Sequence, residues 1–152
     1  MIPRVLIQRD DFDTAMEIAR LTASRKDVGA VVTFTGLCRD EDGRLAALEL
    51  EHYPGMAEAE ITRIAIEASH RWPLTGITAI HRFGKIPPGE NIVLVVTAST
   101  HRQAAFEAAS FLMDYLKTDA PLWKKESGPQ GARWIEPRAE DHARRAKAEE
   151  GH

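Results

Sequence analysis

The chain has 152 residues, 43% of them hydrophobic and 28% charged, and a formal net charge of −3. That length suits one domain able to bury its own core. The balance excludes a disordered chain and, lacking a basic excess, gives no support to a general nucleic-acid binder. The single cysteine, Cys38, excludes an internal disulfide, a CxxC redox pair and a four-thiolate zinc site. A lone thiol and the absence of long apolar runs predict a cytoplasmic chain with no signal peptide and no membrane span.

Val5–Gln8 reads as a short edge strand. Residues 13–25 carry Ala15, Met16, Ile18, Ala19 and Ala23 at helical spacing. Val28–Cys38 is rich in Val, Thr and Phe and predicts a strand; Asp40–Gly43 is a turn signal, and Leu45–Tyr53 alternates in part. Together these two runs predict a β-hairpin. Pro54-Gly55 breaks the chain, and Met56–Trp72 forms an amphipathic helix on Ile61, Ile64, Ala65 and Ala68 until Pro73 ends it. Gly76–Phe83 and Asn91–Ser99 are predicted strands, with Gly84–Glu90 a loop or wide turn. Thr100–Gln103 fits a capping box for a helix whose apolar face is Ala105, Ala108, Ala109, Leu112, Met113 and Leu116. Asp119-Ala120-Pro121 stops that helix. Leu122–Glu126 and Arg133–Glu136 predict two more strands around Ser127–Ala132, and the charged, Ala-rich tail from Ala139 is a marginal helix or frays. The expected fold is α+β, a mostly antiparallel sheet with packed helices in a single domain over residues 1–152.

No Walker loop, dinucleotide fingerprint, HExxH or GxSxG motif is present, and the six histidines lack ligand spacing, so neither metal nor cofactor is expected. What remains is a set of cations. His101 and Arg102 fall in the first turn of a helix, where the macrodipole disfavours a cation unless an anion arrives. Phosphate or carboxylate binding and a solvated turn paired to a nearby acid explain them equally well. Lys117 sits in a last turn, where lysines are common for dipole reasons alone. Lys124, beside Trp123, is either a strand-edge lysine or one desolvated enough to act as acid, base or nucleophile. Arg39 and Arg138 read as surface turn residues, and Phe34 and Met113 as core. Glu49 and Glu51 share one strand face, more simply solvated than an acid/base pair. Cys38 reads as a buried, inert thiol despite its neighbour Arg39.

Several segments together resemble a known family. They are Val28-Gly29-Ala30-Val31-Val32-Thr33-Phe34-Thr35-Gly36 with Arg39, Leu50-Glu51-His52-Tyr53-Pro54-Gly55-Met56, Ile80-His81-Arg82 and Ser99-Thr100-His101-Arg102. Phe106-Glu107, Met113-Asp114-Tyr115-Leu116-Lys117-Thr118 and Pro121-Leu122-Trp123-Lys124-Lys125-Glu126 follow in order. This pattern, spanning Val28 to Arg138, resembles the large, catalytic subunit of molybdopterin synthase. The resemblance implies an α/β hammerhead fold and conversion of cyclic pyranopterin monophosphate to molybdopterin. The two sulfurs of the dithiolene would come from the thiocarboxylated Gly-Gly terminus of a small ubiquitin-like partner. It also implies a homodimer with one small subunit at each end. Position by position, Lys117 and Lys124 match active-site lysines. Arg39, His101, Arg102 and Arg138 match residues that hold the anionic substrate, and Phe34 and Met113 match residues lining its pocket. Cys38 has no counterpart in the pattern. The rival readings are a non-catalytic module that binds a ubiquitin-like tail or an anion, and a paralogue acting on another phosphorylated heterocycle.

One expectation joins the roles implied by that resemblance to helix geometry. A helix from His101 to Lys117 separates its ends by about 24 Å at ~1.5 Å per residue. Arg102 and Lys117 of one chain then cannot both touch one small substrate, and each site is expected to be composite between two protomers.

Overall fold

The structure, a computed structural model, describes residues 1–40, 47–128 and 131–135. Its elements are β1 (Arg4–Gln8), α1 (Thr14–Thr22), β2 (Ala30–Leu37), β3 (Ala47–His52), α2 (Met56–Arg71), β4 (Leu74–Arg82), β5 (Gly84–Ile86), β6 (Asn91–Ser99), α3 (Arg102–Thr118), β7 (Leu122–Gly128) and β8 (Gly131–Ile135). Among the described residues they form two four-stranded sheets, ordered β1-β4-β6-β2 and β5-β3-β7-β8. Every strand pair is antiparallel except β1 with β4. The expected α+β class is therefore the observed one.

The first sheet is covered on both faces. Ile77, Ala79 and Val95 meet Ile61, Ile64 and Ala68 of α2 and Ala108, Phe111 and Leu112 of α3 in the main core. On the other face Ile80, Leu94 and Val96 pack against Ile18 and Leu21 of α1. Burial of each large side chain contributes roughly 1.5–3 kcal/mol, and β6, buried on both faces, reads as a continuous apolar run over Ile92–Val96 for that reason. The second sheet has a smaller core of Leu48, Leu50 and Ile86 with Cys38, joined by Phe83 and Ile92 at the end of the first sheet.

The two sheets meet at a corner. β4 ends at Arg82 and β5 begins at Gly84, which has φ +89°, a left-handed conformation that costs glycine little. The Arg82 guanidinium is buried at that corner, donating to the carbonyls of Arg9 (3.0 Å) and Asn91 (2.8 Å) and to Glu90 Oε1 (3.3 Å). The Phe83 amide donates to the Gln8 carbonyl at 3.0 Å.

Three local expectations are corrected. The predicted hairpin does not form: β2 pairs with β6, and β3 lies in the other sheet between β5 and β7. Alternation marks a half-buried strand without naming its partner, and β2 gains more by covering the buried strand β6. The loop 84–90 contains a short strand, β5, which pairs with Leu48–Leu50. The capping box is also absent. His101 is the N-cap residue of α3 and makes no side-chain cap bond. Thr100 Oγ1 donates to the Asp27 carbonyl at 3.1 Å, and Gln103 Nε2 donates to Glu107 at 3.1 Å. Thr100 is drawn away because the start of β2 docks against it. The Gly29 amide donates to the Ser99 carbonyl at 2.9 Å, and a Cβ on Gly29 would lie 2.1 Å from the Thr100 carbonyl oxygen.

Candidate functional site

Topology decides which of the expected residues share a neighbourhood. β6 ends at Ser99, the chain reverses at Thr100 and His101, and α3 returns across β6 and β2. Its last turn, with exposed Lys117, therefore lies toward the Asn91 end of β6. β2 and β4 run antiparallel to β6 and finish at that same end, with Gly36 and His81 both opposite Val93. Exposed Arg39 follows directly. Met113 is half-buried against the main core. Phe34 is 38% exposed, so the core reading of its sequence fails. β2 is an edge strand, and Gly36 leaves space beside the Phe34 ring where a Cβ would stand 3.4 Å from Phe34 Cε1.

Lys124 reaches this end from the second sheet. It stands directly opposite Leu50, which is fully buried, so its stem lies on the inner face while the side chain stays exposed. The neighbours in sequence face outward. Trp123 packs edge-on against Tyr53 with ring centroids 4.8 Å apart. Lys125 is opposite Glu49, which has Lys85 opposite it on the other side, a cross-strand charge ladder. Glu51 is exposed on that outer face, in keeping with the solvated reading of the glutamate pair.

Two histidines that sequence reasoning left without a role belong to the same region. His81 is buried, and its Nδ1 lies 2.9 Å from the Arg82 carbonyl. A carbonyl only accepts, so Nδ1 carries the proton and Nε2 holds the lone pair. Burial, with smaller contributions from Lys124 and His52, pushes its pKa down to about 4 against the opposing effect of that carbonyl. His52 lies on the inner face of β3 opposite Leu122, two residues from Lys124 along β7, which makes it a diagonal cross-strand neighbour of Lys124. Its ring packs on Phe83 at 4.4 Å, and its buried Nδ1 has no hydrogen-bond partner among the described residues. The signal for both was only their place in strands that turn out to meet.

His101 and Arg102 are exposed at the other end of α3. Arg102 precedes Lys117 by fifteen residues, about 22 Å at ~1.5 Å per residue. No acidic residue stands in that first turn. Arg138 and the tail after it lie outside the described residues, as does most of the turn after Arg39. Cys38 is buried, and burial raises its thiol pKa, with smaller contributions in the same direction from Glu126, Glu90 and Asp40. An inert thiol is what that environment produces. Among the described residues no group of three His, Cys, Asp or Glu side chains is placed to hold a metal ion, and no helix is long and apolar enough to cross a membrane.

Residues 7–119 match the MoaE protein family. The chain belongs to that family. It is 69% identical over 143 residues to a molybdopterin synthase catalytic subunit of Mesorhizobium japonicum, covering 93% of this chain and 90% of the relative. Its fold superposes on a molybdopterin biosynthesis MoaE protein from Burkholderia ambifaria with a TM-score of 0.83, 45% identity and 99% coverage of both chains. A molybdopterin synthase structure from Staphylococcus aureus aligns with a TM-score of 0.76 and 32% identity over 85% of this chain and 94% of that one. As a MoaE-family member the chain is an enzyme subunit of molybdenum cofactor biosynthesis.

Proposed function

We propose that this MoaE-family chain converts cyclic pyranopterin monophosphate to molybdopterin in the cytoplasm. Sulfur reaches it as the thiocarboxylate at the C-terminus of a small ubiquitin-like subunit. What supports this reading is that Lys117 in the last turn of α3 and Arg39 just after β2 both lie toward the Asn91 end of the first sheet, where the charge of Lys124 on β7 also acts on His81.

The chemistry suits those residue types. The thiocarboxylate sulfur attacks an oxygen-bearing carbon of the pterin side chain, whose C–O bond breaks as the oxygen leaves as water or stays on the phosphate; water then hydrolyses the thioester, returning the partner's carboxylate and leaving the thiolate on the product. Both steps pass through anionic oxygen species, which a lysine ammonium stabilises and between which a neutral lysine moves protons. Arginine and histidine suit the cyclic phosphate. Because Arg102 is about 22 Å from Lys117 in its own chain, His101 and Arg102 serve the site of a second protomer. The active assembly is then a homodimer with a small subunit at each site, and the two sulfurs arrive from successive partner tails.

The deciding experiment is incubation of the chain with thiocarboxylated small subunit and cyclic pyranopterin monophosphate, followed by detection of the dithiolene product. Dithiolene formation is expected. Tight binding of both reactants with no product would instead mark a binding module.

A further inference from the structure

Two residues of the segments singled out in the sequence, Ser99 and Glu107, take no part in the chemistry proposed above. Both bear on the first turn of α3. That turn lacks the usual means of being held. His101, its N-cap residue, makes no side-chain cap bond, and no acidic residue stands in the turn. The Thr100 hydroxyl is engaged by the Asp27 carbonyl. A helix start with open amides frays unless something else fixes it.

Two side chains fix it, and both are anchored to the Trp72-Pro73 step that ends α2. Trp72, the C-cap residue of α2, is buried with its ring 5.3 Å from that of Phe111. Its indole Nε1 donates to Glu107 Oε2 at 2.7 Å, and Glu107 Oε1 accepts from Gln103 Nε2 at 3.1 Å. One carboxylate thus joins a buried indole to the residue that follows Arg102. Ser99 is buried, and its hydroxyl donates to the Pro73 carbonyl at 2.7 Å and accepts from the His101 amide at 3.4 Å. The His101-Arg102 step is therefore held from both sides, by Ser99 before it and by Glu107 after it.

Resting on the reading in "Proposed function", we propose that Glu107 is a positioning residue for substrate binding: anchored on Trp72, it fixes the first turn of α3 so that His101 and Arg102 meet the phosphate in the second protomer's site. Ser99 assists from the other side of the turn. Glu107 itself touches no reactant. Its bonds exist before the substrate arrives, so the turn need not be ordered at the expense of binding.

The test is the steady-state kinetics of dithiolene formation by Glu107→Ala, Glu107→Gln and Gln103→Ala, each checked for folding by circular dichroism and thermal unfolding. Groups that hold the phosphate alike in the ground and transition states act on KM. Glu107→Ala is expected to raise KM for the cyclic phosphate about tenfold or more, with kcat little changed. Gln103 is exposed, so Gln103→Ala breaks the other end of the tie without disturbing the core, and KM is expected to rise again. Glu107→Gln loses the charge but keeps an acceptor for Trp72 and a polar partner for Gln103, and is expected to restore a KM close to that of the unaltered chain. An unchanged KM in the folded alanine variants, a fall in kcat without a rise in KM, or a glutamine variant as weak as Glu107→Ala overturns the proposal.

Mixed dimers separate positioning from general damage. Glu107→Ala paired with Lys117→Ala is expected to regain activity at low substrate, because both defects fall in one site and leave the other intact. Glu107→Ala paired with Arg102→Ala is expected to regain none. The reverse pattern overturns the proposal. Arg102→Ala paired with Lys117→Ala is the control: if it shows no rescue, the shared-site reading falls and the KM comparison alone decides the role of Glu107. No dithiolene from the unaltered chain overturns the proposed reaction and this assignment with it, whereas product formation with unchanged KM in the variants overturns the assignment alone.

Discussion

The Lys124 ammonium lies close enough to the buried His81 imidazole to oppose its protonation, adding to the effect of burial. The pair therefore links the site to acid stability. In the unfolded chain a histidine titrates near 6.5, whereas folded His81 titrates at about 4. Above pH 6.5 both states are neutral there and His81 adds no pH dependence. As the pH falls from about 6.5 to about 4, the unfolded chain takes up a proton that the folded chain refuses, and stability drops by an amount of order 3 kcal/mol. Urea titrations across this range are expected to show that drop in the unaltered chain and a smaller one in His81→Gln. Parallel pH profiles in the two proteins would refute it.

Lys117 is exposed in the last turn of α3. Its replacement by alanine is expected to cost under about 1 kcal/mol of stability, the scale of a surface dipole interaction. Dithiolene formation with thiocarboxylated partner is expected to be lost. Near-normal turnover of a folded Lys117→Ala protein would remove Lys117 from the chemistry.

The separation of Arg102 from Lys117 makes a complementation test possible. Homodimers of Arg102→Ala and of Lys117→Ala are each expected to be inactive. Co-refolded mixed dimers contain one site with both defects and one with neither, so partial activity is expected to return. A mixture as inactive as its parents would argue that both residues serve the same site from one chain.

Gly29→Ala would place a Cβ 2.1 Å from the Thr100 carbonyl oxygen. The contact is backbone to side chain with no flexible atom to yield, so β2 or the turn before α3 must move. The expected cost is roughly 2–4 kcal/mol, on the scale of severe overpacking, read as a lowered midpoint of thermal unfolding. A melting curve like that of the unaltered chain would show that the turn adapts freely.

Cys38 lies buried in the small core of the second sheet. Alkylation by iodoacetamide is expected to be slow in the folded chain and fast in denaturant, and Cys38→Ala is expected to keep turnover. A rapid reaction in the native state, or lost sulfur transfer in the variant, would give this thiol a part in the chemistry.

Much of the fold was legible because its signals are local. Ile61, Ile64, Ala65 and Ala68 repeat at helical spacing and do face the core as α2. Partner choice was not legible: the alternation in Leu48–Leu50 is satisfied equally by β2 or by β5 and β7, and only tertiary packing decides. The short β5 was hidden among Pro87, Pro88 and Gly89. At the site, Lys117 and Lys124 could be read only through the family pattern, since each also has an ordinary explanation at a helix end or strand edge. His52 and His81 lay inside the family pattern without a role, because what singles them out is the meeting of the two sheets.

That meeting is fixed by the Arg82 corner, where one buried guanidinium ties the ends of β1 and β6 to the start of the second sheet. Such a corner behaves as a bracket rather than a hinge. The spacing between Lys124, on one side of it, and Lys117, on the other, is therefore set when the chain folds, before any reactant arrives. A site built on a bracket cannot close around its substrate by swinging one sheet onto the other. Its exclusion of water must come from what is inserted into it; in the reaction proposed above, the tail that would deliver the sulfur would also be the stopper.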